Sequence, residues 1–475
     1  MNNITIAWIA LPLFLGFVIY LLPKLDRYLA LGVALISAGY ALSLFFNQSP
    51  LTLNLLDSFG VTLLADQLSG YFILTNALVT TAVILYCWHT DKTAFFYTQT
   101  IILHGSVNAA FICADFISLY VALEVIGIAA FLLIAYPRSD RSIWVALRYM
   151  FVSNTAMLFY LVGAVLVYQA NHSFAFSGLS KAPTEAIALI FLGLLTKGGI
   201  FVSGLWLPLT HSESETPVSA MLSGVVVKTG VFPLVRCALM VPEIDPIVRI
   251  FGVGTALLGV VYALFEKDTK RMLALSTVSQ LGWILAAPGV GGFYALGHGL
   301  VKSALFLIAG NLPSRNFKEL QDQPMNTTMW IPLVMASLSI SGFPLFVGFG
   351  AKMLTLNNVL PWQVILMNIG AVGTAMVYAK FIFLPHGKGK NVKPGLWAPI
   401  ILLLAALITA SSLYSEAYTV ANITKALAII GVGWLAHFLI FQRLVVTLPR
   451  VLEQFEHLIG VMSLMLLLLF GMILA

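Results

Sequence analysis

Long apolar stretches separated by short polar ones run along the whole chain. A bilayer core of ~30 Å requires about 20 consecutive apolar residues for each spanning helix, whereas spanning β-strands show short alternating segments. The apolar stretches here are long and continuous, so the pattern predicts helices. We place sixteen of them, at residues 5–23, 28–46, 68–88, 95–113, 116–136, 143–168, 186–210, 217–240, 247–265, 272–287, 292–311, 329–357, 362–384, 396–414, 421–441 and 457–474.

Two of these helices contain residues that break a regular helix. The seventh contains Gly198, Gly199 and Pro208, and the twelfth contains Gly342 and Pro344. Unwound backbone at membrane depth is tolerated only where it is buried in protein or lines a cavity, and broken helices are typical of transport sites. The sequence therefore predicts two interrupted helices that are candidates for a transport site.

Composition assigns this pattern to a membrane protein. Of the 475 residues, 60% are hydrophobic and 9% are charged, whereas a soluble domain carries about 25% charged residues. The mean hydropathy is +0.96. Because a soluble fold could not cover this much apolar surface, we expect an all-α integral membrane protein. The apolar start, residues 4–22, lacks the basic region and cleavage site of a signal peptide, which favours a retained first helix.

Basic residues concentrate in the predicted loops that follow odd-numbered helices. The positive-inside rule places these loops in the cytoplasm and both termini on the non-cytoplasmic side. The loop after the seventh helix carries His211, Glu213 and Glu215 but no Lys or Arg, so we expect it to fold partly into the membrane domain. Loops after even-numbered helices hold little beyond Lys181 and Arg249. The basic residues of the odd-numbered loops are Lys24, Arg27, Lys92, Arg138, Arg141, Lys267, Lys270, Arg271, Arg315, Lys318, Lys388, Lys390, Lys393, Arg443 and Arg450.

Ionisable side chains inside the predicted helices are the candidate functional groups. Each buried charge costs about 2.5–3.5 kcal/mol on insertion scales, so such residues are usually functional. Burial disfavours the charged form of a lysine, and a nearby carboxylate favours it again, so a buried lysine can accept and release a proton. A row of such groups bridged by water would form a proton path. The residues are Glu124, Lys197, Lys228, His298, Lys302 and Lys352.

Simpler explanations exist for several ionisable residues. A static ion pair between Glu124 and Lys197 would need no transport role. Lys380 lies near a helix end, where a lysine can extend its ammonium group to the interface. Asp66 and Asp115 lie near helix ends on the outer side and are expected to be solvated caps.

We predict no redox cofactor, no metal site and no catalytic residue in this chain. The cysteines Cys87, Cys113 and Cys237 lie apart in apolar stretches, without ligand or redox spacing, and are expected to be small buried residues. The sequence has no P-loop, no dinucleotide fingerprint and no metal-ligand spacing. It also has no basic soluble face that would bind nucleic acid.

Several linked motifs across residues 5–415 resemble one family of membrane proteins. These are the antiporter-like subunits shared by Mrp-type multisubunit cation/proton antiporters and by complex I, the NADH:quinone oxidoreductase. The chain looks closest to the D-type subunit of the Mrp antiporters, of the cyanobacterial type. The matching motifs are Asp115-Phe-Ile-Ser-Leu-Tyr120-Val-Ala-Leu-Glu124-Val, the seventh-helix Lys197, Trp206-Leu-Pro208 with Pro217-Val-Ser-Ala220, Gly224-Val-Val-Val-Lys228-Thr-Gly, Asp268-Thr-Lys270-Arg271 with Ser279-Gln280-Leu-Gly282, His298-Gly-Leu-Val-Lys302, and Gly342-Phe-Pro344 with Lys352.

The resemblance implies a fold of about 14–16 transmembrane helices with two inverted five-helix repeats, each containing a broken helix. It also implies a hydrophilic axis in the membrane plane through Glu124 and the four buried lysines, with breaks at Pro208, Gly342 and Pro344. The expected segments are a three-helix segment at 1–94, half-channels at 95–240 and 241–384, and C-terminal helices at 385–475.

The function implied by the resemblance is proton translocation in a multisubunit Na⁺(cation)/H⁺ antiporter, beside other membrane subunits. The expected location is a prokaryotic inner membrane or a cyanobacterial thylakoid. Three alternatives stay open: a proton-pumping subunit of an NADH:quinone or plastoquinone oxidoreductase, a membrane partner of an inorganic-carbon uptake complex, and a structural membrane scaffold. The sequence does not identify the coupling cation.

Overall fold

A computed structural model describes residues 2–47, 49–56, 59–388, 394–441 and 448–474. Lys390, Lys393 and Arg443, which entered the assignment of basic loops, lie outside the described residues. The helices are α1 (Asn2–Leu21), α2 (Asp26–Phe46), α3 (Gln67–Cys87), α4 (Ala94–Ala110), α5 (Phe116–Ile134), α6 (Asp140–Asn171), α7 (Thr184–Lys197), α8 (Leu207–Glu213), α9 (Thr216–Met221), α10 (Lys228–Met240), α11 (Asp245–Phe265), α12 (Thr269–Ala286), α13 (Gly291–Ala309), α14 (Phe317–Asp322), α15 (Thr327–Ser341), α16 (Val347–Asn358), α17 (Gln363–Ile382), α18 (Trp397–Ser411), α19 (Val420–Ala436) and α20 (Phe455–Leu474).

Strands form only two small sheets in the described part of the chain. β1 (Leu51–Leu56) pairs antiparallel with β2 (Gly60–Ala65), with Leu51 opposite Ala65. β3 (Met325–Asn326) pairs in parallel with β4 (His386–Gly387). Neither sheet closes into a barrel, so helices alone can span a membrane here.

Each of the sixteen predicted helices has a counterpart in the structure, which confirms the all-α membrane fold. Thirteen helical segments of the described chain are long and apolar enough to cross a membrane. The other three predicted spans correspond to α4, to α12 and to the broken pair α15 and α16. The eighth predicted helix consists of α9 and α10 joined by a π-helical turn, Leu222–Val226.

Both predicted helix breaks are present. α7 ends at Lys197 and the chain unwinds until α8, with Gly199 at φ +69°. α15 ends at Gly342, which has φ +88°, and Pro344 lies in the gap before α16. Pro208 differs from its predicted role, because it lies in the first turn of α8, after the break. A proline is tolerated there since the first helical N–H groups have no partner within the helix.

The basic loops converge on one face of the helix bundle. Lys92 pairs with Glu215 at 2.6 Å and Arg141 pairs with Glu213 at 3.2 Å. Arg315 also approaches Glu213, at 3.7 Å. The loop after the seventh predicted helix therefore lies among basic residues from three other loops, and much of it is folded into the domain as α8. This shared face supports the predicted number of spans, since one missed helix would place later loops on the opposite face.

Two acidic residues differ from their predicted roles. Asp115 caps α5 as expected, but it is fully buried and accepts hydrogen bonds from the amides of Ser118 and Thr62, at 2.7 and 2.8 Å. Asp66 caps α3 and also pairs with Arg236. Both caps were expected to be solvated.

Lys380 lies in the last turn of α17, near a helix end as predicted, and it is half-buried. Its ammonium donates to the carbonyls of Ala263, Leu264 and Glu266, at 3.2, 2.5 and 3.0 Å. These are carbonyls at the C-terminal end of α11, which have no partner within the helix and favour a positive charge. Lys380 is therefore a helix cap supplied by α17.

Candidate functional site

Four lysines lie in the interior of the helix bundle. The exposed fraction is 5% for Lys197, 0% for Lys228, 0% for Lys302 and 2% for Lys352. They belong to α7, α10, α13 and α16, so four different spans each contribute one. Within the described ranges, none of the four forms an ion pair with a carboxylate. Their ammonium groups instead meet neutral oxygen atoms.

Lys197 is the last residue of α7, where the helix unwinds. Its Nζ donates a hydrogen bond to the Ser153 hydroxyl of α6 at 2.5 Å, and the Tyr149 ring lies 6.0 Å away. Glu124 is half-buried on α5 and interacts electrostatically with Lys197. The Glu124–Lys197 ion pair is not formed, so a static pair does not explain why these residues are buried.

Lys228 follows the π-helical turn directly. Its Nζ donates to the Gly224 carbonyl at 2.5 Å and lies 3.4 Å from the Ser223 carbonyl. A π-turn shifts the hydrogen-bond ladder by one residue and is frequent at functional sites. The lysine therefore satisfies carbonyls of its own distorted turn, and Gly299 of α13 lies beside its Nζ.

Lys302 connects α13 to two neighbouring helices, α12 and α17. Its Nζ donates to the Leu273 carbonyl of α12 and to the Tyr378 hydroxyl of α17, both at 2.8 Å. The Ser276 hydroxyl lies 2.8 Å from the same Tyr378 hydroxyl. Sequence reasoning identified Lys302 but not Tyr378 or Ser276, because no motif marks the partner of a buried ammonium.

A pair of hydroxyls lies between Lys228 and Lys302. Ser223 Oγ and Thr277 Oγ1 are 2.7 Å apart. Thr277 also donates to the Leu273 carbonyl at 3.0 Å, which is the acceptor of the Lys302 ammonium. Polar contacts thus link Ser223 of the π-turn to Lys302 through Thr277 and the Leu273 carbonyl, whereas Lys228 contacts Ser223 only at its carbonyl.

His298 lies one turn before Lys302 and is buried. Neither ring nitrogen has a hydrogen-bond partner in the described part of the chain. The ring lines a small cavity with Gln280, Tyr294 and Gly348, which has room for about one water molecule. A water there would satisfy the imidazole and lie beside the helix that carries Lys352.

Lys352 lies in α16, the helix that contributes Gly348 to this cavity. Its Nζ is 3.4 Å from the Ser341 carbonyl at the end of α15, and the Trp283 ring lies 5.2 Å away. The two parts of this broken helix, α15 and α16, therefore supply the carbonyl and the lysine, respectively. Carbonyls exposed by unwinding are typical ion and proton sites in transporters.

The structure groups the predicted site residues into three sets. Glu124 and Lys197 form the first, Lys228 with Lys302 and His298 the second, and Lys352 the third. No hydrogen bond among the described residues joins Lys197 to Lys228, so a proton would need water between them. Among those residues, no group of three or more His, Cys, Asp or Glu side chains could hold a metal ion.

Comparison with known proteins places these residues in a family context. The family described as NADH:quinone oxidoreductase/Mrp antiporter, transmembrane, matches residues 113–377, more than half of the chain and a range that contains every grouped site residue.

Two relatives and one solved structure cover most of the chain. A Na⁺/H⁺ antiporter subunit of the D type, from Alkalihalophilus pseudofirmus, is 26% identical over 462 residues, covering 86% of this chain and 93% of the relative. Chain 4-2 of a NAD(P)H-quinone oxidoreductase from Synechocystis is 28% identical over 446 residues, covering 81% and 78%. A chain of the membrane-bound sulfane sulfur reductase, an archaeal respiratory complex, superposes with TM-score 0.78 at 21% identity, covering 92% of this chain and 100% of that chain. This last likeness concerns the fold alone.

Proposed function

The chain belongs to the membrane-subunit family of NADH:quinone oxidoreductases and Mrp antiporters, and on that premise we propose that it translocates protons within a multisubunit cation/proton antiporter. The observation that carries the proposal is the set of four buried lysines held by neutral oxygens rather than carboxylates. A buried ammonium without a counter-ion is costly, and a static scaffold would be as stable with apolar residues there. A role in proton exchange explains why lysines, rather than apolar residues, occupy these buried positions.

The proton path we propose has two half-channels, at residues 95–240 and 241–384. Glu124, Lys197 and Lys228 serve the first. Lys302 with His298, and then Lys352, serve the second. Each lysine nitrogen accepts a proton on its lone pair and releases one onward, through water or through the hydroxyls beside it. Support comes from the position of Lys197 and Lys352 at the two helix breaks, where the Ser153 hydroxyl and the Ser341 carbonyl, respectively, can accept a hydrogen bond from either form of the amine.

The cation exchanged for protons is proposed to be Na⁺ or K⁺, carried by the assembled complex. The relative from Alkalihalophilus is an antiporter subunit, which supports partner subunits in the same membrane. Hard cations prefer several oxygen ligands, often carboxylates, and the described site is built from lysines instead. We therefore assign the proton step to this chain, and we propose that its termini lie on the non-cytoplasmic side of an inner or thylakoid membrane.

A second candidate function is proton pumping in a quinone-reducing complex. The similarity to the Synechocystis oxidoreductase chain favours it. The same buried lysines would then move protons in response to electron transfer in other subunits. The two functions differ in what drives proton movement, and one experiment separates them.

The experiment uses everted vesicles from cells that lack their own Na⁺/H⁺ antiporters. The chain is expressed with its genomic neighbours, the vesicles are energised, and dissipation of ΔpH is followed after adding Na⁺ or K⁺. We expect cation-dependent dissipation that is lost in Lys197→Ala and Glu124→Ala and kept in Lys181→Ala, which changes an exposed loop lysine. A ΔpH generated by an electron donor, with no cation response, would replace antiport with the redox-driven function. Activity in Lys197→Ala would overturn the proposed proton path.

A further inference from the structure

Two side chains of different charge, Ser153 and Glu124, interact with the Lys197 ammonium. Ser153 of α6 accepts its hydrogen bond at 2.5 Å, and Glu124 of α5 attracts it electrostatically. The observed contact is with the neutral hydroxyl, although a charged carboxylate is the stronger partner in a dry site. In the structure, therefore, the lysine donates to the hydroxyl and forms no ion pair with the carboxylate.

Gly127 lies beside the hydrogen bond between Lys197 and Ser153. It is one turn after Glu124 on α5, so both residues share a helix face. A Cβ atom at Gly127 would lie 3.2 Å from Lys197 Nζ and 3.7 Å from Ser153 Oγ. A side chain here would press on both ends of the Lys197–Ser153 hydrogen bond. The absence of a side chain leaves room for the ammonium to move along this face of α5.

Resting on the proposed proton path, we propose that Ser153 is a positioning residue that holds Lys197 away from Glu124 while Gly127 keeps the passage between them open. Moving the ammonium to Glu124 breaks the N–H···Oγ hydrogen bond and forms an N–H···carboxylate bond. The serine keeps its own proton throughout. Without the hydroxyl, Lys197 stays paired with Glu124, and a paired ammonium releases its proton less readily.

The first test compares serine variants in the vesicle assay described above. Ser153→Ala is expected to slow cation-dependent ΔpH dissipation by at least about tenfold, the population change that loss of one hydrogen bond to a charged group produces. Ser153→Thr, which keeps the hydroxyl, is expected to recover most of the rate. The matched control is Ser106→Ala, because the Ser106 hydroxyl is also buried but donates only to the Ile102 carbonyl of its own helix.

The second test asks whether Ser153 acts through the competition with Glu124. Glu124→Asp keeps the charge but draws the carboxylate back by one methylene, so Ser153→Ala is expected to slow transport less in this background than in the wild type. Gly127→Ala is expected to slow transport on its own by crowding Lys197. Immunoblots of the membranes establish that each variant is present and assembled, and Gly127→Ala gives an independent answer if Ser153→Ala is absent.

The outcomes separate this inference from the function on which it rests. Wild-type rates in Ser153→Ala and Gly127→Ala, with an inactive Lys197→Ala, would overturn the positioning role and leave the proton path intact. Equal defects in Ser153→Ala and Ser153→Thr would also overturn it, because the hydroxyl would not be what matters. An active Lys197→Ala would instead remove the proton path itself.

Discussion

At the scale of single residues, the site is built so that each lysine can change its charge without leaving a group unpaired. The Lys228 ammonium donates to the Gly224 carbonyl, and a neutral amine at the same place could still donate one of its two hydrogens there. The same holds for Lys302 against Leu273 and Tyr378. A carboxylate partner would hold one charge state far more strongly. Neutral acceptors therefore favour repeated protonation and release.

This argument predicts opposite effects of Lys228→Met on transport and on stability. Transport is expected to fall by about a hundredfold or more, because the central proton acceptor is gone. The melting temperature of the purified complex is expected to stay equal or rise, since an apolar side chain of similar length often replaces a buried charge at no cost. Vesicle transport and thermal unfolding measure the two quantities. Retained transport would remove Lys228 from the path.

The hydroxyl pair between Lys228 and Lys302 gives a second residue-scale prediction. Thr277→Val keeps the shape of the side chain but removes the hydroxyl that lies 2.7 Å from Ser223 Oγ. We expect transport to fall by about tenfold in Thr277→Val. The double variant with Ser223→Ala is expected to be no slower than Thr277→Val alone, because both substitutions remove the same hydrogen bond. Thr100→Val is the matched control, because the Thr100 hydroxyl bonds only the Phe96 carbonyl of its own helix. A worse double variant would mean that the two hydroxyls act independently.

At the scale of helices, the breaks were predictable and the π-turn was not. Glycine indicates a helix break because it widens the range of backbone conformations, and proline does so because it lacks the backbone N–H that a helix uses. Gly199 and Gly342 adopt the positive φ that glycine permits. The π-turn before Lys228, Leu222–Val226, contains Gly224 but no proline, and nothing in its sequence separates a π-turn from a regular helix that contains a glycine. Pro208 shows the limit of this signal, because proline also begins regular helices.

The break between α15 and α16 gives a prediction about stability. Gly342→Ala is expected to destabilise the protein by roughly 1–2 kcal/mol, because an L-residue is strained at its positive φ. The new Cβ would also lie 3.0 Å from Lys352 Cδ, so transport should fall as well. Gly39→Ala, in the middle of α2 with open space around it, is the control and is expected to be neutral or stabilising. Thermal unfolding of the two variants decides the matter, and equal melting temperatures would contradict the argument.

The sequence predicted the lysines of the candidate site but not their hydrogen-bond partners. A lysine in the middle of an apolar stretch is a strong signal, because its burial is costly wherever it points. Its partners carry no such signal, since hydroxyl residues such as Ser153, Thr277 and Tyr378 are common in membrane helices. Which hydroxyl faces which lysine depends on how α6, α12 and α17 pack, and that is a property of the folded bundle.

At the scale of the whole molecule, one ion-pair cluster joins the C-terminal segment to both halves of the bundle. Glu453, which precedes α20, is buried and pairs with Arg271 of α12 at 2.7 Å. Its carbonyl accepts a hydrogen bond from Arg148 of α6. α20 then packs against α7, the helix that carries Lys197. The last helix thus packs against α6 and α7, and the charged residues that hold its N-terminal end, Glu453 and Arg271, lie near helix ends.

Glu266 lies between α11 and α12 in the same cluster and makes the cluster sensitive to pH. Burial by itself raises the pKa of its carboxyl, but the Arg271 guanidinium, 3.0 Å away, and the amides of Asp268 and Lys267 hold the pKa below its ordinary value of 4.5. A carboxyl whose pKa is lowered by folding contributes stability that is present above the unfolded value. This contribution is lost as the pH falls through the folded value.

We expect the difference in melting temperature between the wild type and Glu266→Gln to become smaller as the pH falls. Near pH 7, Glu266→Gln should melt several degrees below the wild type, because Arg271 and Arg450 both lose a charged partner. As the pH falls below about 4.5, protonation removes the same charge from the wild type, so the two melting temperatures should converge. Glu243→Gln, which changes an exposed glutamate, should follow the wild type at every pH. A difference that stays constant across this range would mean that Glu266 stabilises the cluster by its shape and hydrogen bonds rather than by its charge.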